Sequence, residues 1–466
     1  MSEVIVSLFV AAVITAIYYR YRSIFCLPFF WAAVFALLDL GLLQIRAVDG
    51  GSSYIYSAAA FGLFYVGLLA SDLIPLLHRV FKKTNSRNSA PGRGLQVPAS
   101  RTGRKPVGTE TELMFPVLPL NVGLFLSLGG AVIVTSIFFA QNGFPIFSSF
   151  PAMAWVQSTS GIVNRLMTVF GPGCFAGLAL VAWGIHRKSG SRAALAMMYV
   201  GLGFAILSQA LLATKGAAIL IFVWFNIVLF YMNKKRDFRK TVLPLILVVV
   251  PVSAAIVAVR LMSTQGYWEA GGVYQTYYQR LTTTNAEPVD FIFKYMNRFG
   301  PMHGGAMHRE VARIRDQLTG RHKTPLLSEF IYDLMSGEST NTTGLSASLT
   351  LFGTGYTEWG LMGMLIYSFL QGFGFGWVHR YLLRKEKMNI VTLLFWGAII
   401  NYLLGVSGSG TILVTFESVF FTVIPPLLFL VPSCFLFLLP LARRYRAPAH
   451  GGISGIPNGE QRWLRG

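Results

Sequence analysis

Charged residues are scarce in this chain, and acidic residues are the scarcest. Asp, Glu, Lys and Arg make up only 12% of its 466 residues, and just 19 residues are acidic. Hydrophobic residues, in contrast, make up 54%. A soluble globular protein of this length needs more polar residues than that to cover its surface. The composition therefore excludes an ordinary soluble protein and predicts an integral membrane protein.

Cysteine is almost absent from the chain. The three cysteines, Cys26, Cys174 and Cys434, each lie inside an apolar run, where a free thiol behaves as a small hydrophobic side chain. Their spacing fits neither a disulfide framework nor a zinc site. Cysteine chemistry therefore supplies no functional hypothesis.

The first apolar segment lacks the basic region that opens a secretory signal peptide. It begins with Glu3, and Arg20 and Arg22 follow the apolar run instead of preceding it. We therefore expect this segment to be retained as a membrane helix.

Long apolar runs dominate what is present. About eleven of them approach the ~20 residues that a helix needs to cross the hydrocarbon core of a bilayer. They lie at 4–19, 24–45, 54–77, 115–140, 168–185, 193–212, 216–232, 241–259, 358–379, 389–406 and 413–441. The chain is therefore predicted to be an all-α polytopic membrane protein with about eleven transmembrane helices.

The net charge of +20 is distributed unevenly along the chain. Alternate connecting segments hold 27 of the 39 Lys and Arg residues, whereas the short connections at 46–53 and 407–412 hold one between them. Cytoplasmic loops of membrane proteins carry such an excess of basic residues. The pattern predicts an external N-terminus and a cytoplasmic C-terminus. It also explains the basic charge by topology and by attraction to anionic lipid, so that no nucleic-acid partner is expected.

Two polar segments have different predicted characters. Residues 80–111 are rich in Ser, Gly, Pro and basic residues, which is typical of a disordered loop. Residues 260–357 are too many for an unstructured connection and contain three helix signals. The first helix is predicted to open at Pro288, and the second is predicted to include Met307 to Leu318. The third is predicted to follow Thr324-Pro325 and to end at Gly337.

These segments divide the chain into four predicted parts. They are an N-terminal membrane part at 1–259 with about eight helices, an external helical cap at 260–357, further transmembrane helices at 358–441, and a cytoplasmic tail at 442–466.

Several cations fall in the predicted external segments, contrary to the general charge pattern. At the membrane border, Arg and Lys attract phosphate, and Arg binds it through two parallel hydrogen bonds. The alternative is that these side chains extend to lipid headgroups or pair with acids of the same loop. The candidates for an anion site are Arg165, Lys215, Arg260, Arg280 and Arg298.

Candidate general bases also lie in this external region. Asp290, Glu329 and Asp333 are better explained as ordinary surface or ion-pair residues, whereas Glu358 stands at an apolar border, where a carboxylate usually faces a cavity or a cation. His303 lies in a glycine-rich turn and is either a base or simply exposed.

Metal binding is not expected here. His303 and His308 are five residues apart, which is not the spacing of a helical zinc site. The nearby glycines Gly353, Gly355, Gly360 and Gly363 are explained by close helix packing.

Three stretches carry a resemblance to a known family. They are "NGFPIF" (142–147) followed by Arg165, "LLATKGAAILIF" (211–222) with Lys215 at its basic position, and "TTGLSASLTLFGTGYTEWGLMG" (342–363) at the end of the large loop. Together with the topology, they resemble the bacterial O-antigen polymerases (Wzy-type) and the wider group of repeat-unit polymerases and O-antigen ligases. The third stretch departs from the family pattern at two positions, with Thr354 in place of Glu and Trp359 in place of Phe.

The resemblance implies a GT-C-like membrane glycosyltransferase of the bacterial inner membrane that needs no cofactor or metal. Its donor and acceptor would be glycans on undecaprenyl pyrophosphate, and a chain-length regulator is a further partner that the resemblance leaves open. The five cations above would bind the pyrophosphate, and Tyr356 would face the sugar. The base would come from Glu358, His303 or Glu329. An O-antigen ligase and a transporter or flippase of lipid-linked sugars remain the alternatives.

Overall fold

A computed structural model describes thirteen stretches of the chain. They are 2–23, 26–49, 51–88, 117–147, 166–167, 169–212, 215–232, 283–319, 324–337, 347–384, 389–416, 419–420 and 422–428. These residues are nearly all helical, and none of them forms a strand. The predicted all-α class is therefore confirmed for this part of the chain.

Twelve helices have bounds in the described residues. They are α1 Ser2–Tyr21, α2 Leu27–Asp49, α3 Ser53–Asn88, α4 Val117–Asn142, α5 Pro172–Ser189, α6 Arg192–Leu211, α7 Lys215–Met232, α8 Thr283–Phe299, α9 Gly305–Thr319, α10 Leu327–Ser336, α11 Leu351–Arg384 and α12 Ile390–Ser409. Residues 413–416, 419–420 and 422–428 are also helical. The third helix continues to Asn88 and so includes the start of the segment 80–111 that was predicted to be disordered.

Membrane-spanning character is clear in seven of these helices, which are α1, α2, α3, α4, α6, α11 and α12. Each contains a window long and apolar enough to cross a bilayer. The predicted run at 241–259 lies outside the described residues. The described part of the chain is thus that of a multi-pass membrane protein.

The centre of the bundle is the pair α3 and α11, which glycines bring into close contact. A Cβ atom on Gly372 would lie 1.9 Å from the carbonyl oxygen of Phe64, and one on Gly67 would lie 2.2 Å from that of Phe369. A Cβ atom on Gly376 would likewise lie too close to α3, against the Ser71 side chain. Small residues allow two membrane helices to approach at backbone distance, where dispersion contacts are densest. These glycines therefore fix how α11 lies on α3.

The three cap helices lie close to their predicted positions. Helix α10 ends at Gly337, whose φ of 69° fits glycine. Helix α8 begins at Thr283, so that Pro288 lies inside it instead of opening it. A proline in the second turn lacks the N–H that would donate a backbone hydrogen bond to the preceding turn.

The cap is continuous with the membrane helices. Helix α8 buries Ala286, Val289, Ile292, Phe293 and Met296 in the same hydrophobic core as the transmembrane helices. Phe293 packs on Tyr56 of α3, with ring centroids 5.3 Å apart. The described cap helices therefore pack against one end of the membrane helices.

Candidate functional site

Helix α11 is broken near its beginning. Trp359 has φ −135° and ψ 17°, and Gly360 has φ 62° and ψ −147°, a region of backbone conformation that essentially only glycine adopts. A Cβ atom on Gly355 would lie 2.6 Å from the carbonyl oxygen of Gly363. In a continuous helix, residues eight positions apart are separated by about 12 Å. Residues 351–358 therefore form a short helix that folds back on the long helix 361–384.

The turn that follows α8 closes the end of this short helix. The backbone N–H groups of Met302 and His303 donate to the carbonyl oxygens of Thr357 and Glu358 at 2.8 and 2.9 Å. These carbonyls would otherwise lack partners, because the helix stops at the break. His303 has a positive φ of 47°, and its exposed ring meets Trp359 edge-on at 5.7 Å. The cap and the broken helix are thus joined by backbone hydrogen bonds.

The carboxylate of Glu358 lies at this junction. The residue is only 2% exposed, and its Oε1 accepts a hydrogen bond of 2.8 Å from the backbone N–H of Met307. Met307 is in the first turn of α9, where the helix dipole favours a negative charge. The other oxygen, Oε2, is buried and has no hydrogen-bond partner among the described residues. The carboxylate thus has one oxygen anchored and one without a described partner.

A glycine, Gly304, lies beside Oε2. A Cβ atom on Gly304 would lie 4.0 Å from Oε2, which is an ordinary van der Waals distance. Gly304 also has φ 92°, which disfavours any residue with a side chain. The glycine-rich turn "HGG" therefore shapes the approach to Glu358.

A second buried acid, Glu310, lies on the same helix α9. Its oxygens accept hydrogen bonds from the backbone N–H groups of Ile412, Leu413 and Val414, at 3.0, 2.6 and 3.1 Å. These groups open the helical residues 413–416, whose N-terminal N–H groups have no partners within the helix. Glu310 therefore joins α9 to the start of the helical residues 413–416. Both of its oxygens accept hydrogen bonds there.

Tyr356 is buried in the short helix and joins it to α8. Its hydroxyl donates to Oδ1 of Asn297 at 2.6 Å, and its ring meets Phe293 edge-on at 4.7 Å. Thr354, at the position where the resembling family has Glu, donates to the carbonyl of Thr350 and lies against Gly410. Both side chains thus have structural contacts within the described residues.

Glu329 is fully engaged elsewhere in the cap. One oxygen accepts from Arg313 at 3.0 Å, and the other accepts from the backbone N–H of Leu326 at 2.8 Å, at the start of α10. The Arg309 guanidinium lies 4.2 Å from the ring centroid of Phe330, and burial lowers its pKa. These contacts attach α10 to α9.

The loop before α10 is held by Asp316. Its Oδ2 accepts from the Thr324 hydroxyl at 2.6 Å and from the Thr324 backbone N–H at 3.0 Å. The hydroxyl hydrogen bond is the main reason that the pKa of Asp316 lies below its ordinary value.

Only one of the five candidate cations has a described side chain. Arg298 is exposed at the end of α8, with its guanidinium 5.5 Å from the centroid of the Phe299 ring. Lys215 begins α7, but its side chain lies outside the described residues, as do Arg165, Arg260 and Arg280 entirely. The structure thus brings Glu358 and His303 to one junction, whereas Tyr356 contacts α8 and Glu329 lies in a separate contact.

Sequence reasoning missed several buried charged groups. Asp39 lies within the span of α2, and among the described residues neither of its oxygens has a partner in strict hydrogen-bond geometry, although the Ser57 hydroxyl of α3 lies beside it. A single acid inside the run 24–45 was a signal that could have identified it. Glu310 gave no such signal, because its partners lie about one hundred residues further along the chain.

Comparisons with protein-family models, curated proteins and solved structures found no match. Across the described ranges, no three His, Cys, Asp or Glu side chains lie close enough to share a metal ion.

Proposed function

We propose that this protein is a membrane glycosyltransferase that joins undecaprenyl-pyrophosphate-linked oligosaccharide repeat units into an O-antigen or a related surface polysaccharide. The observation that carries the proposal is the Glu358 carboxylate. It is buried at the junction of cap and membrane helices, with Oε1 held by a backbone N–H and Oε2 without a partner in the described part of the chain. A general base needs such an oxygen within reach of the hydroxyl that it activates.

In the proposed reaction, the hydroxyl of the acceptor sugar gives its proton to Oε2 of Glu358. The acceptor oxygen forms a bond to the anomeric carbon of the donor glycan, and the bond from that carbon to the pyrophosphate oxygen breaks. The lipid pyrophosphate leaves with the electron pair, and the proton on Glu358 then passes to solvent. Each step balances without an oxidant or a nucleotide.

Cations would stabilise the leaving pyrophosphate as its negative charge develops. Arg298 supports this assignment because its guanidinium is exposed at the end of α8, five residues before His303. Arg165, Lys215, Arg260 and Arg280 remain candidates by the resemblance. His303 is the alternative base, since its exposed ring lies beside Trp359 at the same turn.

The proposal places the reaction on the periplasmic side of a bacterial inner membrane, with the N-terminus periplasmic and the C-terminus cytoplasmic. A GT-C-like arrangement of about eleven spans belongs to the same proposal. Its support is the charge pattern of the connecting segments together with the packing of the cap helices on one end of the bundle.

A transporter of lipid-linked sugars is the second candidate, and Asp39 is the observation that favours it. A carboxylate without a partner inside a membrane span is costly and is typical of an ion or proton pathway. The absence of a described cation near it means that it would have to work in its protonated form or with a bound ion.

The two candidates differ in what the purified protein does to lipid-linked repeat units in proteoliposomes. A polymerase lengthens the glycan when given these units alone, as measured by mass spectrometry of the released glycans. A ligase lengthens nothing until lipid A core is added as the acceptor. Movement of unchanged repeat units between leaflets, with no lengthening, would contradict the proposal and support the transporter.

A further inference from the structure

The end of α11 opposite to Glu358 carries a group of charges that the proposed reaction does not use. Glu358 and Arg380 are separated along α11 by about 30 Å of helix, the thickness of a bilayer core. At this far end, the Asp72 carboxylate of α3 lies between two guanidiniums. Its Oδ1 bonds to Arg380 at 2.5 Å, and its Oδ2 bonds to Arg20 of α1.

This group has an excess of positive charge and of hydrogen-bond donors. Each guanidinium has five N–H donors, whereas the single Asp72 carboxylate neutralises only one of the two charges. The Arg20 side chain is 38% exposed and that of Arg380 is 15% exposed, so that both can reach a ligand. The Tyr21 hydroxyl is buried beside the Arg20 side chain and, within the described stretches, meets no partner in strict hydrogen-bond geometry.

Neighbouring residues add to the positive charge and hold the guanidiniums in place. Arg22 and Arg384 are exposed at the same ends of α1 and α11. His379, next to Arg380, is buried, and its Nδ1 is 2.7 Å from the Tyr231 hydroxyl. Because this contact fixes the end of α11, Arg380 is positioned before any ligand binds.

Aromatic side chains mark the depth of this group in the membrane. Tyr19 next to Arg20 is 72% exposed, and Trp377 one turn before Arg380 is 47% exposed. Tyr381 packs on Trp396 with ring centroids 4.5 Å apart. Tyr and Trp concentrate at the level of the lipid headgroups. The arginines therefore lie at the depth where headgroup phosphates are found.

We propose that Arg20 and Arg380, bridged by Asp72, form a binding site for the phosphate of an anionic phospholipid headgroup. The site is at the end of the bundle that the charge pattern predicts to be cytoplasmic, where anionic lipid is attracted to basic residues. The planar guanidiniums donate paired hydrogen bonds to the phosphate oxygens, and the lipid chains lie along the exposed faces of α1 and α11. This site is separate from the proposed glycan chemistry and does not depend on it.

Native mass spectrometry of the full-length protein in neutral detergent tests the site. Phosphatidylglycerol is titrated against wild-type protein, Arg380→Gln and Arg20→Gln, with Arg315→Gln as the matched control on the exposed surface of the cap. We expect Arg380→Gln and Arg20→Gln each to weaken the first binding event by about fivefold, and the control to leave it unchanged. Equal weakening by Arg315→Gln, or equal binding of phosphatidylcholine, would overturn the proposal.

Asp72→Asn separates a lipid site from a purely structural ion pair. Because the substitution frees both guanidiniums, a lipid site predicts equal or tighter binding of phosphatidylglycerol. Loss of binding in this variant, with an unchanged elution profile on size exclusion, would contradict the proposal.

Two further ligands identify the source of the phosphate. Inorganic phosphate at millimolar concentration is not expected to displace bound phosphatidylglycerol. Undecaprenyl phosphate at the same concentration as phosphatidylglycerol is not expected to displace it either. Displacement by inorganic phosphate would indicate a site for the free anion, and displacement by undecaprenyl phosphate would indicate a polyprenyl site. Either result would overturn the assignment to a phospholipid.

Discussion

At one end of α11 the Glu358 carboxylate has a single backbone N–H as its partner, whereas at the other end the Asp72 carboxylate lies between two guanidiniums. The difference decides what each acid can do. Asp72 is neutralised and both of its oxygens are occupied, so that it holds helices and cations together. Glu358 has no described cation and keeps one oxygen without a partner, so that it remains able to accept a proton.

Glu310 sharpens the comparison because it is buried as deeply as Glu358 and lies on the adjoining helix α9. Three backbone N–H groups occupy its two oxygens, so that nothing is left for a ligand. Burial alone therefore does not distinguish a reactive carboxylate from a structural one, whereas the number of occupied oxygens does.

The largest expected effect on stability comes from breaking the turn that positions Glu358. Gly360→Ala forces a side chain into the φ 62°, ψ −147° conformation and should cost about 1–3 kcal/mol. Thermal unfolding in detergent measures the loss. Gly374→Ala is the control, because Gly374 has open space around it and an ordinary helical backbone. Equal melting temperatures for the two variants would mean that the chain does not need the turn.

A somewhat smaller loss is expected when the charge of Glu310 is removed. Glu310→Gln weakens its hydrogen bonds to three N–H groups at a helix start and should cost about 1–2 kcal/mol. The measurement is again the melting temperature, with the surface substitution Glu3→Gln as the control. If Glu310→Gln unfolds at the wild-type temperature, the claim that this carboxylate anchors α9 is contradicted.

Tyr356→Phe should have a moderate effect on stability and a small effect on the reaction. Losing the hydrogen bond to Asn297 should cost about 0.5–1.5 kcal/mol, since the Asn297 amide can turn toward solvent. Glycan lengthening should persist near the wild-type rate if Tyr356 only joins helices. A loss of lengthening without a change in melting temperature would instead place the hydroxyl at the acceptor sugar, as the family resemblance implies.

The smallest expected effect is a pH dependence of the stability of the cap. Because hydrogen bonds from Thr324 lower the pKa of Asp316, its stabilising contribution is complete above the ordinary Asp pKa and is lost as the pH falls through the depressed pKa in the folded protein. Limited proteolysis near the start of α10 should therefore increase in this acidic range. The Asp316→Asn variant should be cleaved at the same rate throughout this pH range. If its cleavage still increases as the pH falls, as in the wild type, Asp316 is excluded as the cause.

The sequence predicted the elements of this fold better than their contacts. Apolar runs predicted the helical class, and Gly337 predicted the end of α10. Close packing predicted for Gly355 and Gly363 is confirmed, although the two glycines pack on each other across a break in one helix. The fold-back could not be predicted from the local sequence. A glycine needed for its positive φ and a glycine needed for close packing look the same in a sequence.

The site was only partly predictable for a similar reason. Glu358 was identifiable from its place at an apolar border, which is a local property. The partner of each carboxylate depends on residues far along the chain: Met307 for Glu358, Ile412 to Val414 for Glu310, and Arg20 and Arg380 for Asp72. Whether an acid is occupied or available is therefore a tertiary property.

The most direct measurement is the rate of glycan lengthening by Glu358→Gln in proteoliposomes that contain undecaprenyl-pyrophosphate-linked repeat units. Gln keeps the size of the side chain but cannot accept the acceptor proton, so that we expect the rate to fall by about 10²- to 10⁴-fold while the melting temperature changes little. Glu3→Gln, an exposed acid at the same end of the bundle, should lengthen glycans at the wild-type rate. Lengthening by Glu358→Gln at the wild-type rate would contradict the assignment of Glu358 as the base.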